Sequence, residues 1–526
     1  MAPPRLKPAK KKRDSAKLVD KDDYLEAADG HEEAMGKHRV GDPVKARRFA
    51  DRALDVYSEG LAKFPRSFDL AYNKARLELE KATDPALSQA LRVSALGVLR
   101  QALSSHQYAL DINPTHTDTM FNMAQALTGI AEIIAEDDEA NDSEALQYMK
   151  QALEIQISCF ELQRIAFEKS RLELERAMRE TAEYSTAQIN SGQASTNTAS
   201  ESQSVSREEQ WAVIEEPITA ATLLETIIAQ IEALTAFCSM ISSSLASPLP
   251  ASHADSASAL SWIDSYSENL LTQTLPTLID ENRSTLESRL SDVMLPKAVF
   301  ISNYLDLSFR LSKIDIKKYT SELESAFAQP GLDVTSEDFL WASAHALLSL
   351  NSALALVPTG GSDASVRWKV LIAAQSRLSS IASRPNLDKH ALAITHLLRG
   401  DISLFLQILS YPPIAHPKAR AMTPLKHAEV YYRNAGKLLD SLGRSTEEER
   451  TASELKAAVV NVLLNSSSDQ DNHSTIVNIP TSDEVERALG VVLKEKGGQW
   501  VRDHLEEMAS QGMVIIPQVF AAVMQG

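Results

Sequence analysis

The sequence predicts an all-α fold, an α-solenoid of antiparallel helix pairs with a disordered N-terminal tail and an internal disordered loop. Three observations predict it. Hydrophobic residues make up 44% of the 526-residue chain but aromatics only 6%, and Ala, Leu and Ser dominate. That composition packs helices closely and is poor in the residues that strands favour. From Asp20 onward apolar residues recur at helical spacing, broken by Pro, Gly and Ser clusters. One short pattern also repeats: a small residue, a bulkier one four later, a second small one three after that, and often a proline five further on. The length suits two or three ordinary domains or one extended solenoid.

Residues 1–19 read as a disordered basic tail. The first twenty residues hold seven Lys/Arg against two Asp, or +5, so the remainder of a chain with net charge -18 carries -23 (-18 minus 5). Lys10, Lys11, Lys12 and Arg13 form the kind of short basic run that importins read as a nuclear localisation signal, so importin is an expected partner and the nucleus and/or cytoplasm the expected location. The acidic body argues against direct nucleic-acid binding, since phosphate recognition needs an excess of Lys/Arg. It favours a basic partner through its field, and it equally serves solubility.

Residues 20–184 carry the repeat most clearly. "ALDVYSEGLAKFP" supplies Ala53, Tyr57, Gly60 and Pro65; "ALSSHQYALDINP" supplies Ala102, His106, Ala109 and Pro114. Ala145, Met149 and Ala152 follow the same spacing without the proline. In 209–442 the pattern returns as Ala373, Arg377, Ser380 and Pro385, then as Ala428, Tyr432 and Ala435. The two small residues share one helical face two turns apart, where a neighbouring helix can approach, and the bulkier residue fills the gap between helices. Proline then stops the helix.

On these residues the chain resembles the tetratricopeptide repeat (TPR) superfamily, whose second helix carries small, aromatic, small and Pro in this order. After Pro114, Met120 stands in the large apolar position of the next first helix, Met123 in the Leu position, Ala124 in the Gly position and Leu127 in the Tyr position. That frame expects Met120 and Met123 in the core. The resemblance covers 20–184 and 336–442 and implies a right-handed superhelix. Trp341, Ala344 and His345 fit a first helix leading into the Ala373 segment. Spacings of 49 and 43 residues between the anchors at Pro65, Pro114 and Ile157 exceed the repeat's 34, which expects lengthened helices or inserted loops. Between 210 and 360 helices are expected without a clean repeat.

Two polar stretches divide the chain. Residues 185–208, rich in Ser, Thr, Gln and Asn, bury too little to offset the entropy of ordering and read as a disordered loop. The segment before them reads as a long projecting helix. In the C-terminal part, 443–526, helices containing Trp500, Val514, Ile515, Ile516 and Phe520 are expected to cap the solenoid, with a flexible loop at 465–478. The most apolar window, 221–245, carries Glu225 and Glu232 and reads as a buried helix and not a membrane span. No membrane partner and no secretory signal are expected.

No catalytic constellation is expected, and the chain reads as a non-enzyme without cofactor or metal. "HEEAMGKH" opens like a zinc-protease motif, but Met35 stands four residues after His31, and His38 lies seven away, too far for simple chelation. "TGGS" at 359–362 lacks the lysine of a phosphate loop. Cys159, seven residues after Ala152, reads as a buried small hydrophobe, and with Cys238 forms neither a disulfide framework nor a zinc site.

The TPR resemblance also implies where a ligand would sit, because four positions of each first helix face a groove. They are Asp69, Tyr72, Asn73 and Arg76 after Pro65; Asp118, Phe121, Asn122 and Gln125 after Pro114; and Lys389, Leu392, Ala393 and His396 after Pro385. Co-chaperones of the superfamily that grip a heat-shock protein's C-terminal carboxylate need Lys and Arg in a third repeat, where this chain offers Asp118 and Asn122. A carboxylate clamp is therefore disfavoured. The expected function is a protein-interaction scaffold or adaptor, an assembly chaperone taking a basic segment in the groove. The alternative is a structural subunit of a larger complex that uses its convex face.

Overall fold

The computed structural model describes residues 18–88, 91, 93–135, 142–190, 217–246, 253–356, 362–410, 416, 422–443, 446–468, 489–490, 492–511 and 513. The fold they form is all-α. The basic run Lys10–Arg13, most of the 185–208 and 465–478 stretches, and Val514, Ile515, Ile516 and Phe520 lie outside them. The chain divides into two compact units, residues 1–244 with 262–287, and residues 245–261 with 288–526.

In the first unit helices follow one another as packed neighbours: α1 (Lys21–His38), α2 (Pro43–Lys63), α3 (Phe68–Thr83), the single turn α4 (Pro85–Ser88), α5 (Ala95–Ile112), α6 (Thr117–Ala135), α7 (Asp142–Asn190) and α8 (Ala220–Ala246). Local chemistry sets the ends. Asp20 begins α1 with a reciprocal capping box to Asp23, Asp42 caps α2 with Pro43 in its first turn, and Ser94 caps α5. α2 and α5 both stop two residues before a proline, since the residue ahead of proline disfavours helical geometry.

The pairs α1–α2, α3–α5 and α6–α7 pack side by side, and each joins the next through α2–α3 and α5–α6. These consecutive helix–helix contacts give solenoid-like packing. The small-bulky-small pattern is its core: Ala53, Tyr57 and Gly60, then Ala102, His106 and Ala109, then Ala145, Met149 and Ala152 are all buried. At Gly60 a β-carbon would lie 3.0 Å from Leu70 and 3.1 Å from Tyr24, so the close approach of three helices needs glycine there. Met120 and Met123 correct the sequence frame. Both are half-buried, while Ala124 and Leu127 beside them are buried, because Met123 lies at the edge of the α6–α7 seam.

α7 runs to Asn190, six residues into the polar stretch, and its residues 169–181 are exposed. Upstream it packs on α8 through hydrogen-bonded polar groups. The Thr226 hydroxyl donates to Gln163 at 2.7 Å, and the Gln230 amide to the Gln156 carbonyl at 3.2 Å. Tyr266 of α9 (His253–Asn269) donates to Gln230. A π-helical segment Leu270–Thr274 then leads into α10 (Leu275–Glu281), where Pro276 lacks the N–H that would continue an α-ladder.

The second unit contains α12 (Leu290–Arg310), α13 (Ile316–Phe327), α14 (Glu337–Leu356), α15 (Ser362–Ala382), α16 (Lys389–Ile408), α17 (Met422–Asp440), α18 (Glu447–Ser468) and α19 (Gly498–Ser510), preceded by the turn α11 (Arg283–Leu286) that closes the first unit. From α14 to α18 each helix packs on its successor. Ala428, Tyr432 and Ala435 are buried as the pattern expects. In α15 the register differs by one residue. Ala374, Leu378 and Ile381 are buried, while Ser380 is exposed and Ala373 and Arg377 are half-buried. The longer buried side chains there outweigh the alanine-serine match. Trp500 of α19 packs, half-buried, against the core of α14–α18.

Among the described residues three helices are long and apolar enough to cross a membrane by length and composition: α8, α14 and α16. In α8 Glu225 and Glu232 are exposed, opposite the buried Leu223, Leu224, Ile227 and Ile231.

Candidate functional site

The first helices α1, α3 and α6 of the N-terminal pairs touch one another in series, and the groove candidates of α3 and α6 lie along them. The central device is an alternating chain of charges. The buried Tyr57 of α2 donates its hydroxyl to Glu32 of α1 at 2.6 Å. Arg76 of α3 bonds the other oxygen of Glu32, and also faces Glu80 at 3.3 Å. Arg39 bonds Glu80 in turn and lies 3.3 Å from Asp84. Burial and the bond to Glu32 both push the Tyr57 phenol upward. Burial works against the Arg76 charge, but Glu32 and then Glu80 outweigh it and raise the guanidinium above its ordinary value.

Beside this chain sits an aromatic cluster. Phe68 and Tyr72, one turn apart on α3, stack at 5.9 Å, and His116 packs at 4.6 Å from Phe68 and 5.0 Å from Tyr72. His116 precedes α6, and its Nδ1 accepts the Thr119 N–H at 3.2 Å, satisfying one of the first-turn donors that helices leave open. Asn122 hydrogen-bonds Tyr72, and burial, then Asp118, raise the Tyr72 phenol.

The structure thus brings Tyr72, Arg76, Asp118 and Asn122 into one region and leaves Asp69 at its edge, exposed and 3.7 Å from Lys21. Asn73 and Phe121 are half-buried, Asp118 and Gln125 exposed. The linked groups here are the carboxylates Glu32, Asp69, Glu80 and Asp84 with the cations Lys21, Arg39 and Arg76, and Asp118 beside Tyr72 adds a further negative charge. The four groove positions of α16 do not behave alike. Lys389 is exposed and Leu392 half-buried, but Ala393 is fully buried. The His396 ring stacks on Tyr431 of α17 at 6.0 Å, so its face turns toward the partner helix.

Sequence reasoning missed Glu32, Arg39, Glu80, Phe68 and His116. Phe68 was legible as the residue four before Tyr72. The Glu32 and Arg39 roles are not legible in "HEEAMGKHR", because their partners Arg76 and Glu80 lie on another helix more than forty residues away. His31 and His38 instead lie against Phe49, at 6.3 and 5.7 Å between centroids. Among the described residues no group of three or more His, Cys, Asp or Glu is arranged to hold a metal ion. Cys159 is buried, its thiol donates to the Thr117 carbonyl at 3.3 Å, and burial, then Asp118, push the thiol up to about 12. That is the opposite of nucleophile activation.

No family model matches the chain. It is similar to a Schizosaccharomyces pombe protein, UPF0656 protein C926.02, at 30% identity over 140 residues, which is 26% of this chain and 30% of that protein. The matched segment therefore spans less than a third of that relative's length.

Proposed function

We propose that the chain is a divergent TPR-type scaffold without enzymatic activity, and that the face formed by α1, α3 and α6 takes a basic segment of a protein partner. The observation that carries this reading is the charge imbalance around an aromatic floor. Arg76 and Arg39, the cations at the centre of the face, are already held by Glu32, Glu80 and Asp84. Asp118 has no ion pair among the described residues and stands beside Tyr72 and Phe121. Carboxylates next to aromatic rings suit Lys and Arg side chains, which pair with the former and lie over the latter. The acidic body speeds such encounters, and the basic tail fits nuclear entry through importin, consistent with an assembly chaperone moving between cytoplasm and nucleus.

The test is binding of Lys/Arg-rich peptides by fluorescence anisotropy at two salt concentrations. Asp69→Lys with Asp118→Lys should weaken binding about tenfold or more at low salt and reduce its salt dependence. Unchanged affinity in the double variant would remove the groove from the proposal. Deleting residues 1–19 from a fluorescent fusion should abolish nuclear accumulation.

A second reading, a structural subunit of a larger complex, is favoured by α7. It carries Ile165 and, in its exposed stretch, Leu172, Leu174 and Met178, each more than half exposed. Large apolar side chains gathered on one helix mark a protein contact. Co-fractionation far above the monomer mass, lost in Leu174→Glu with Met178→Glu but kept in the Asp69/Asp118 variant, would select this reading over the groove.

A further inference from the structure

In the second unit α13, α14 and α15 enclose a cleft of about 240 Å³. Its wall is apolar: Leu323 and Phe327 from α13, Leu347 and Leu350 from α14, and Val370 from α15. Leu323 and Phe327 are four apart on α13 and Leu347 and Leu350 three apart on α14, so each of these helices presents one stripe to the space between them. The polar groups in the wall are mostly satisfied from within. The Thr320 hydroxyl donates to the Ile316 carbonyl at 2.9 Å, and the Ser343 hydroxyl to the Leu340 carbonyl at 3.3 Å.

Arg377 is different. It stands two turns after Val370 on the same face of α15 and lines the cleft, half-buried. Its Nη1 donates to the Ser343 carbonyl at 3.0 Å, which leaves its other guanidinium donors for a further acceptor. It forms no ion pair among the described residues, and burial pushes the guanidinium below its ordinary value. A half-buried cation without an ion pair among the described residues is costly to the folded chain, and an anion arriving within bonding distance of it would offset that cost.

We propose that this cleft binds a small apolar monocarboxylate, a medium-chain fatty acid, whose alkyl tail lies against Leu323, Phe327, Leu347, Leu350 and Val370 and whose carboxylate meets the free donors of Arg377. Size and charge both favour that occupant. The cleft is larger than the cavity of about 150 Å³ that takes up benzene and smaller than the roughly 300–1,000 Å³ of sites for larger ligands. Arg377 offers the planar fork that matches a carboxylate. The exposed Glu324 at the same cleft adds one negative charge and so disfavours dianions such as phosphate esters. The site is independent of the groove face and stands or falls separately.

The experiment is calorimetric titration of the full chain with sodium octanoate, with 1-octanol, and with a tetrapeptide ending in leucine. Octanoate should bind with one-to-one stoichiometry, at least tenfold more tightly than octanol. Arg377→Gln should weaken octanoate about tenfold to a hundredfold while changing octanol little. Leu347→Trp, which fills the cleft, should abolish both, with circular dichroism reporting that each variant keeps its helix content. Absence of octanoate binding at millimolar concentration overturns the proposal. So do equal affinities for octanoate and octanol, octanoate binding that survives Leu347→Trp, or tighter binding of the peptide, which would reassign the cleft to a chain terminus.

Discussion

His106 makes the stability of the N-terminal helix pairs depend on pH in a way that can be worked out from its surroundings. It is the bulky member of the Ala102–His106–Ala109 pattern and is completely buried. Its Nδ1 lies 2.8 Å from the Ala102 carbonyl and so carries the proton, while Nε2 is buried with no hydrogen-bond partner. A second proton on Nε2 would place an unpaired charge in the core. Burial, opposed in part by the Ala102 bond, accordingly lowers the imidazole from 6.5 to about 4. Because the folded value lies below the unfolded one, unfolding takes up a proton at acid pH. The contribution is complete above pH 6.5, is lost as pH falls toward 4, and changes no further below that. Linkage gives a loss of about 2 kcal/mol at pH 5 relative to pH 8, and about 3 kcal/mol at the acid limit. Amide hydrogen exchange of α5, corrected for the chemical exchange rate, should show opening roughly thirtyfold more frequent at pH 5 than at pH 8. In His106→Leu, where nothing titrates at this position, that part of the dependence should vanish. The reasoning is refuted if wild-type protection is flat between pH 8 and 5, or if His106→Leu retains the wild-type slope.

Further outcomes are expected elsewhere. A β-carbon at Gly400 would fall within 2.7 Å of ring atoms of Tyr432, which is fully buried and anchored through its hydroxyl to Asp401 at 2.7 Å. Gly400→Ala should therefore cost about 2–3 kcal/mol, seen as a lower thermal midpoint, and an unchanged midpoint would show that the ring can move aside. Removing the Asp401 carboxylate strands Lys456, bonded to it at 2.9 Å. Asp401→Ala should destabilise by about 3 kcal/mol and Asp401→Ala with Lys456→Met by clearly less, which a double-mutant cycle in urea measures. Tyr57→Phe deletes the donor to Glu32 and should cost about 1 kcal/mol. In the same variant the affinity of the α1–α3–α6 face for basic peptides should rise, since Glu32 is then less fully engaged.

What the sequence determined by itself was the class of structure and much of its core. Helix periodicity, caps such as Asp20 and Asp42, and prolines at 65 and 114 are local signals, acting within a turn or two of the residues that carry them. The small-bulky-small pattern is almost as local, because both small residues sit on one helix and any neighbour must approach there. Hence Ala53–Tyr57–Gly60 and Ala428–Tyr432–Ala435 were legible as core. Where two registers were nearly equivalent, as in α15, only packing decided that Ala374, Leu378 and Ile381 turn inward. The candidate site was legible in outline alone. Tyr72, Arg76 and Asp118 lie near one another on α3 and α6, but the availability of a charge depends on partners far away in the chain. Arg76 is held by Glu32, 44 residues earlier, and Arg39 by Glu80, 41 residues later. No periodicity encodes such pairings. They follow from helices brought together by burial of their other faces, and it is that tertiary contact which leaves Asp118 on one face and Arg377 in an apolar cleft without an ion pair among the described residues.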